Sequence, residues 1–343
     1  MKNEINKKAI SGMKFLAIIG MIFYHSGFNK IPGYGAFACM FFFMISGFTT
    51  GYYRINNWDL SSDSILNYYS KKIKSISWIY YFTFIIMIPY TMKEIDSIEQ
   101  VKEAICNGMM HLLFIQCWFP DIHYKFNAVA WFSSAILFCY LLTPVLVSFA
   151  RKVNKVSKAF VIVGLCILLH FFLEYCSIQY PDVFGYSMHT NPFIRCLEYY
   201  MGMILSVIYS SISNKRNSFA LYSVFEGISL FLVLGSTYLF LSLGYKSIVL
   251  VPMLILVYVY SLGYGVLSKI LSCDLFKISF LQSEIYLLHY PVIEYSGFVL
   301  RRINIGLLKI KGVEALCYVI FTIIAAYIVH SCWGRICKRK AAN

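Results

Sequence analysis

Apolar residues along this chain are grouped into long runs that are separated by short polar breaks. Most runs are about 15 to 25 residues long, which is the length that an α-helix needs to cross the hydrocarbon core of a bilayer. We therefore predict an all-α fold, a polytopic integral membrane bundle of about ten transmembrane helices. The predicted spans are residues 10–29, 32–53, 75–92, 127–149, 159–179, 193–212, 218–242, 247–268, 283–300 and 314–334.

The run from Ile105 to Phe119 fits this pattern poorly, because about fifteen residues are marginal for a crossing and this run contains His111 and Gln116. We predict that residues 105–119 form an interfacial or re-entrant segment. An eleventh span would send the basic C-terminal tail to the outer side. The chain has no repeat and no separate soluble segment, so residues 1–343 are predicted to form a single transmembrane domain.

The basic residues predict the orientation of the bundle. About two thirds of the 30 Lys and Arg residues lie on the side of the N-terminus when ten spans are assumed. The positive-inside rule then places both termini in the cytoplasm. The net charge of +14 has the same explanation, with anionic membrane lipids as partners, and a nucleic-acid partner is not needed. The outer loop from Arg301 to Lys311 is an exception, and it is either a snorkelling interfacial loop or a site for an acidic glycan or lipid phosphate.

Composition supports the membrane prediction. Hydrophobic residues make up 59% of the chain and charged residues 13%, about half the charged share of an ordinary soluble domain. The first apolar run carries no small-residue cleavage site, so we expect a retained helix rather than a signal peptide. The 11 cysteines show no zinc-like spacing, and no metal site is predicted.

Ionisable groups within a bilayer are costly, so each is a candidate for function. Lys14 and His25 are eleven residues apart in the first span, which places both on one helix face, about 16 Å apart along the axis. Lys14 either snorkels to the inner interface or takes part in function. His25 has small and polar neighbours, and an imidazole suits general-base catalysis near neutral pH.

Other ionisable residues leave alternatives open. Arg195 and Glu198 share a helix face at i, i+3 spacing, at a depth similar to that of His25, so they either orient an acceptor or the imidazole or form a neutralised ion pair. For Glu284 and His289 we expect a structural or gating role. The sequence suggests no partner for His170, Glu174, Glu226, Glu294 and His330.

Several motifs occur in a distinctive order. Lys14-x10-His25 is followed by Gly33-Tyr-Gly35, by the FFFMISGF stretch at 41–48, and by the basic group Lys71-Lys72-Ile73-Lys74. Later motifs are PFIRCLEYYMG at 192–202 and IYLLH at 285–289. Over most of the chain this order resembles the acyltransferase-3 family of membrane O-acyltransferases, which has a ten-span core, an Arg-x10-His pair and an FF-x-x-SGF stretch. Here lysine replaces that arginine at position 14, and lysine keeps the charge but loses the bidentate fork.

The resemblance implies transfer of an acyl group, usually acetyl from acetyl-CoA, to a hydroxyl of a glycan or lipid-linked glycan. It implies His25 as general base, with an acyl-histidine as the variant mechanism, and Arg195 and Glu198 as further site residues. The donor phosphates would rest on Lys14, Lys71, Lys72 and Lys74. A bacterial inner membrane and a capsule, exopolysaccharide or O-antigen acceptor are expected.

The chief alternative is a transporter or flippase of polysaccharide or lipid-linked sugar, in which intramembrane charges line a path. That class predicts an inverted repeat, which the sequence does not show. In the segment from Lys93 to Ala130, the side chains of Trp118, Asp121, His123 and Tyr124 could bind a sugar, although interfacial aromatics are expected in any membrane protein.

Overall fold

The computed structural model describes residues 4–28, 31–93, 95–181, 188–212, 218–273, 278, 280–302 and 310–342. Over these residues the regular structure is helical, without a strand, which confirms the all-α prediction. The helices are α1 (Lys7–His25), α2 (Tyr34–Arg54), α3 (Ser62–Met92), α4 (Ile98–Leu112), α5 (Trp131–Arg151), α6 (Val156–Gln179), α7 (Pro192–Ser211), α8 (Phe219–Leu243), α9 (Leu250–Leu262), α10 (Val266–Leu271), α11 (Gln282–Arg302) and α12 (Lys311–Ala342). Two 3₁₀ turns lie at Gln116–Trp118 and Lys246–Val249.

Six of these helices are long and apolar enough to cross a membrane: α2, α3, α5, α6, α8 and the part of α12 from Lys311 to Arg335. They support a multi-pass membrane protein. Helices α1, α7 and α11 have comparable lengths of 19 to 21 residues but carry ionisable side chains such as Lys14, Arg195 and His289. The count of ten spans and the cytoplasmic termini stay predictions. Most of the predicted basic loop from Arg301 to Lys311 lies outside the described residues.

Several segments differ in detail from the sequence prediction. Helix α3 begins at Ser62, well before residue 75, where the predicted span starts. The predicted span 247–268 is divided, because α9 ends at Leu262 and is capped by Gly263, whose φ of 70° is a left-handed conformation that favours glycine. The predicted segment 105–119 contains the end of α4 and a 3₁₀ turn. This segment is attached to α3, since the hydroxyl of Tyr80 donates to the carbonyl oxygen of His111 at 2.8 Å. Its interfacial or re-entrant position stays a prediction.

Helices α2 and α7 form the centre of the bundle, and 83% of the most apolar 18-residue stretch of α2 is buried. Their backbones touch at two glycines. A Cβ atom at Gly47 would overlap the carbonyl oxygen of Tyr199, and a Cβ at Gly202 would overlap that of Met44. One turn further, Gly51 lies against Ser206. Small residues four apart on facing helices are a common way for membrane helices to approach closely.

The remaining helices pack around this pair. Helices α1 and α5 pack on α2, and α5 and α6 pack on α7. Helix α11 packs against α1, α3 and α12. As a result, α1, α2, α5 and α11 lie around a common space. Lys14 and His25, two of the candidate residues, line cavities in it.

The glycine contact makes a testable prediction. Gly47→Ala and Gly202→Ala must each separate the two backbones, and we expect each to lower the free energy of unfolding by about 1–3 kcal/mol or more. Gly164→Ala in α6 is the matched control, because no atom lies within 4 Å of its Cβ position. Thermal unfolding of the purified protein in detergent measures the effect. Equal stability of all three variants would contradict the proposed importance of the contact.

Candidate functional site

One face of α1 lines two neighbouring cavities. Lys14 and Ile18 line the first cavity, and Met21 and His25 line the second. These positions are spaced i, i+4, i+7 and i+11, so they lie on the same side of a helix. The structure thus places Lys14 and His25 on one face, as their spacing predicts. We call the two spaces the Lys14 cavity and the His25 cavity.

The Lys14 cavity has a volume of about 170 Å³ and mixes polar and apolar walls. Its polar side chains besides Lys14 include Ser46 from α2, Ser133 from α5, and Gln282 and Ser283 from α11. Apolar residues such as Ile18 and Ile136 line the rest. A cavity with these walls can offer both hydrogen bonds and apolar contacts to a bound group.

The lysines predicted to bind a donor differ in their positions. The Nζ atom of Lys72 lies 4.1 Å from the ring centroid of Tyr140, which lines the Lys14 cavity. Lys72 is also near enough to Lys14 for their charges to repel. No salt bridge to either lysine occurs within the described part of the chain. Lys71 and Lys74 are exposed side chains of α3. Lys14 therefore lines this cavity and Lys72 lies against Tyr140 on its wall, and neither lysine has a salt bridge among the described residues.

The His25 cavity is larger, with a volume of about 610 Å³. Its walls are rich in aromatic side chains, namely Tyr24, Tyr124, Trp131, Phe240, Tyr286 and Tyr290. Lys246 and His189 also line it. Of the aromatic residues predicted to bind sugar from the loop before α5, Tyr124 reaches this cavity, whereas Trp118 packs against Phe138 and Phe193.

An aromatic layer of Phe42, Phe132 and Tyr286 lies beside the two cavities. Tyr286 lines both of them, and its ring centroid lies 5.1 Å from that of Phe132. Phe132 in turn lies 6.1 Å from Phe42, and both phenylalanines line the Lys14 cavity. The hydroxyl of Tyr286 donates to the carbonyl oxygen of Val129 at 3.2 Å. A chain that extends from one cavity to the other would pass Tyr286, because this side chain lines both.

A second histidine lies beside His25. The ring centroids of His25 and His289 are 5.2 Å apart. The Nδ1 atom of His289 lies 2.5 Å from the carbonyl oxygen of Tyr286. A carbonyl only accepts, so this nitrogen carries the proton, and in the neutral ring Nε2 keeps its lone pair. That Nε2 atom is buried and has no hydrogen-bond partner among the described residues. The sequence did not indicate this buried acceptor beside a candidate base.

Arg195 and Glu198 form a tight ion pair, with exposures of 3% and 0%. The Nη1 atom of Arg195 donates to both carboxylate oxygens, at 2.8 and 2.6 Å. Its Nε atom donates to the carbonyl oxygen of His189 at 2.8 Å, and its guanidinium lies 5.9 Å from the ring centroid of Trp131. Neither Arg195 nor Glu198 is among the described residues that line the cavities. The pair lies behind the wall of the His25 cavity, and its predicted catalytic role stays a prediction.

A path of polar contacts continues from this ion pair. His170 Nε2 lies 3.5 Å from a carboxylate oxygen of Glu198, although it lacks hydrogen-bond geometry. The other ring nitrogen of His170 lies 2.8 Å from the hydroxyl of Ser247. That hydroxyl donates to Glu174 at 2.5 Å, and Glu174 also accepts the backbone N–H groups of Lys246 and Ser247. Helices α6 and α7 are thereby connected to the turn that carries Lys246.

Other ionisable residues for which the sequence suggested no partner also have one in the structure. Glu226 accepts the backbone N–H groups at the start of α10. Tyr90 donates to Glu294 at 2.7 Å, and His330 lies 2.6 Å from Glu284. These contacts join helices far apart in sequence, so no local signal could have indicated them. Among the described residues, no cluster of three or more His, Cys, Asp or Glu side chains could hold a metal ion.

Comparison with protein families gives one match. The family model Acyl_transf_3, described as an acyltransferase domain, matches residues 7–331, which is nearly the whole chain. No curated protein and no solved structure matches the chain.

Proposed function

The chain belongs to the acyltransferase-3 family, and from this premise we propose that it transfers acetyl from acetyl-CoA to a hydroxyl of a cell-surface or exported polysaccharide. The family supports membrane acyltransferase activity, while the donor, the acceptor and the catalytic residues belong to the proposal. The observation that carries it is the face of α1, which lines one cavity with Lys14 and a neighbouring cavity with His25.

In this proposal the protein spans a bacterial inner membrane ten times, with both termini in the cytoplasm. Six apolar helices and the distribution of basic residues support this arrangement. Lys14 then lies toward the cytoplasm, where coenzyme A is made, and His25 lies toward the outer side. Anionic lipids of the inner leaflet surround the basic loops.

The donor would enter from the Lys14 end. Its phosphates would bind Lys14 and Lys72, and the exposed Lys71 and Lys74 would add positive charge around the entrance. The arm that carries the thioester would occupy the Lys14 cavity, where Ser46, Ser133 and Gln282 offer hydrogen bonds. Movement past the Tyr286 ring would bring the thioester to the His25 cavity.

The acceptor would occupy the His25 cavity, where His25 takes the proton of its hydroxyl. The oxygen then attacks the thioester carbonyl, and the C–S bond breaks as the tetrahedral intermediate collapses. The imidazolium returns the proton to the leaving thiolate, so an O-acyl ester and coenzyme A are formed. In the variant mechanism His25 itself first accepts the acyl group.

His289 would act as a positioning residue for His25. Its Nε2 lone pair can accept an N–H from the neighbouring ring after a small rotation, and this contact would fix the tautomer of His25. The other nitrogen of His25 would then be the unprotonated one that faces the acceptor. Arg195 and Glu198 would support the same cavity from behind, through the carbonyl group of His189.

The first test removes the base. In cells, His25→Ala should lower the O-acetyl content of the surface polysaccharide by about 100-fold or more, because a general base contributes at least that much. The content is measured by NMR. His330→Gln is the matched control, since this ring is 44% exposed and lines neither cavity. A variant that reaches the membrane and acetylates normally would overturn the proposal, and loss of polymer export with normal acetylation would favour the transporter or flippase alternative.

The second test concerns the donor. Lys72→Glu should weaken binding of isotope-labelled acetyl-CoA by about ten- to 100-fold, because it replaces a charge-assisted contact with repulsion. Lys71→Glu and Lys74→Glu provide matched controls on the same helix, with the same change of charge and a smaller expected loss. Equal losses for the three variants would show that only the general positive field binds the donor.

The third test concerns His289. We expect kcat to fall by about tenfold or more in His289→Leu, with KM values for both substrates unchanged, because positioning affects the chemical step. His289→Gln should retain more of the rate, since its amide oxygen can accept the N–H of His25. Equal rates for the two variants, or a loss confined to KM, would exclude the positioning role.

A further inference from the structure

Charge is distributed unevenly around the His25 cavity. Lys246 contributes a positive charge to its walls, and no Asp or Glu is among the described lining residues. His189 does not add a second charge, because burial and the nearby Arg195 hold its pKa well below the usual range. Behind the wall, the charge of Arg195 is balanced by Glu198. Lys246 is therefore the one Lys or Arg side chain among the described residues that line the cavity.

The backbone of Lys246 is held firmly in place. Its N–H group and that of Ser247 donate to the two carboxylate oxygens of Glu174, both at 2.8 Å. Glu174 is itself 3% exposed. Both of its oxygens are occupied by these amides, and no salt bridge to the Lys246 ammonium occurs in the described ranges. Glu174 thus orders the turn through backbone contacts. The Lys246 side chain lines the cavity, at a distance from Glu174 and Glu198 where their charges act on it without a salt bridge.

The surroundings of Lys246 are suited to an acidic sugar. The ring centroids of His189 and Trp131 lie 4.6 Å apart on the same wall. Arg195 lies 3.5 Å from Nδ1 of His189 and can only donate, so the proton of the neutral ring is on Nε2. Tyr124 is 49% exposed and lines the cavity, so the C–H face of a sugar ring can stack on its ring. Lys246 supplies a cationic group, to which a carboxylate or phosphate of the glycan could bind directly.

We propose that the acceptor is an anionic glycan, and that Lys246 binds its carboxylate or phosphate group while His25 faces the hydroxyl to be acylated. This inference rests on the proposed function and adds the chemical class of the acceptor. In this inference, Glu174 holds the backbone of Lys246 in place. The contacts of Ser247 and His170 then fix the position of Lys246 relative to the Arg195–Glu198 ion pair.

The experiment compares matched oligosaccharides with purified protein and labelled acetyl-CoA. One acceptor is neutral, one carries a uronic carboxylate and one carries a phosphate monoester. For the wild type we expect a KM at least tenfold lower for one or both acidic acceptors than for the neutral one, in accordance with the strength of charge-assisted contacts. The two acidic acceptors distinguish a carboxylate from a phosphate.

Variants then assign the preference to Lys246. Lys246→Gln should remove the difference between acidic and neutral acceptors, and Lys246→Arg should retain most of it. Lys125→Gln, an exposed lysine of the loop before α5, is the control for general electrostatic effects. A wild type without preference for acidic acceptors, or an unchanged preference in Lys246→Gln, would overturn the inference.

Failure of the proposed function gives a different pattern. In that case the wild type transfers acetyl to none of the three acceptors. Direct binding of the same oligosaccharides, measured by calorimetry on wild type and Lys246→Gln, then tests the anionic site by itself. Tighter binding of an acidic sugar that depends on Lys246 supports the site, and equal binding by both proteins refutes it.

Discussion

The close contact between α2 and α7 is the constraint on which the rest of the bundle depends. Lipid chains are as apolar as leucine, so helices in a bilayer associate through close packing rather than through a hydrophobic driving force. At Gly47 and Gly202 the two backbones touch. The same two helices carry Phe42 and Ser46 toward one cavity and Arg195 toward the wall of the other. Any added Cβ atom that moved α2 away from α7 would therefore disturb both cavities.

Ionisable side chains in this bundle fall into two groups, for an electrostatic reason. Acidic side chains are satisfied within the protein, as the pair Arg195–Glu198 and the amides bound by Glu174 and Glu226 show. Such partners are needed because an unpaired charge in a medium of low dielectric constant is very costly. Lys14 and Lys246 instead line cavities without a salt bridge in the described part of the chain. In the proposed reaction, these lysines bind negatively charged groups of the substrates.

The aromatic layer of Phe42, Phe132 and Tyr286 has a consequence for the proposed chemistry. Tyr286 lines both the Lys14 cavity and the His25 cavity, and Phe42 and Phe132 line the first. In the proposed reaction, a thioester that moves from the first cavity to the second would therefore contact these rings. Tyr286 connects this layer to the histidine pair, since its carbonyl group orients His289 beside His25.

The sequence by itself determined the helical class, most helix positions, the common face of Lys14 and His25 and the resemblance to the acyltransferase-3 family. These features follow from local periodicity and from motif order, which do not depend on how helices pack. Only the tertiary structure placed His289 beside His25 and showed the partners of Glu174 and Glu294. It also placed Lys72, unlike Lys71 and Lys74, against the wall of the Lys14 cavity, and it brought Lys246 to the His25 cavity. Such contacts join side chains distant in the chain, and the packing of the helices, above all at Gly47 and Gly202, decides which of them meet.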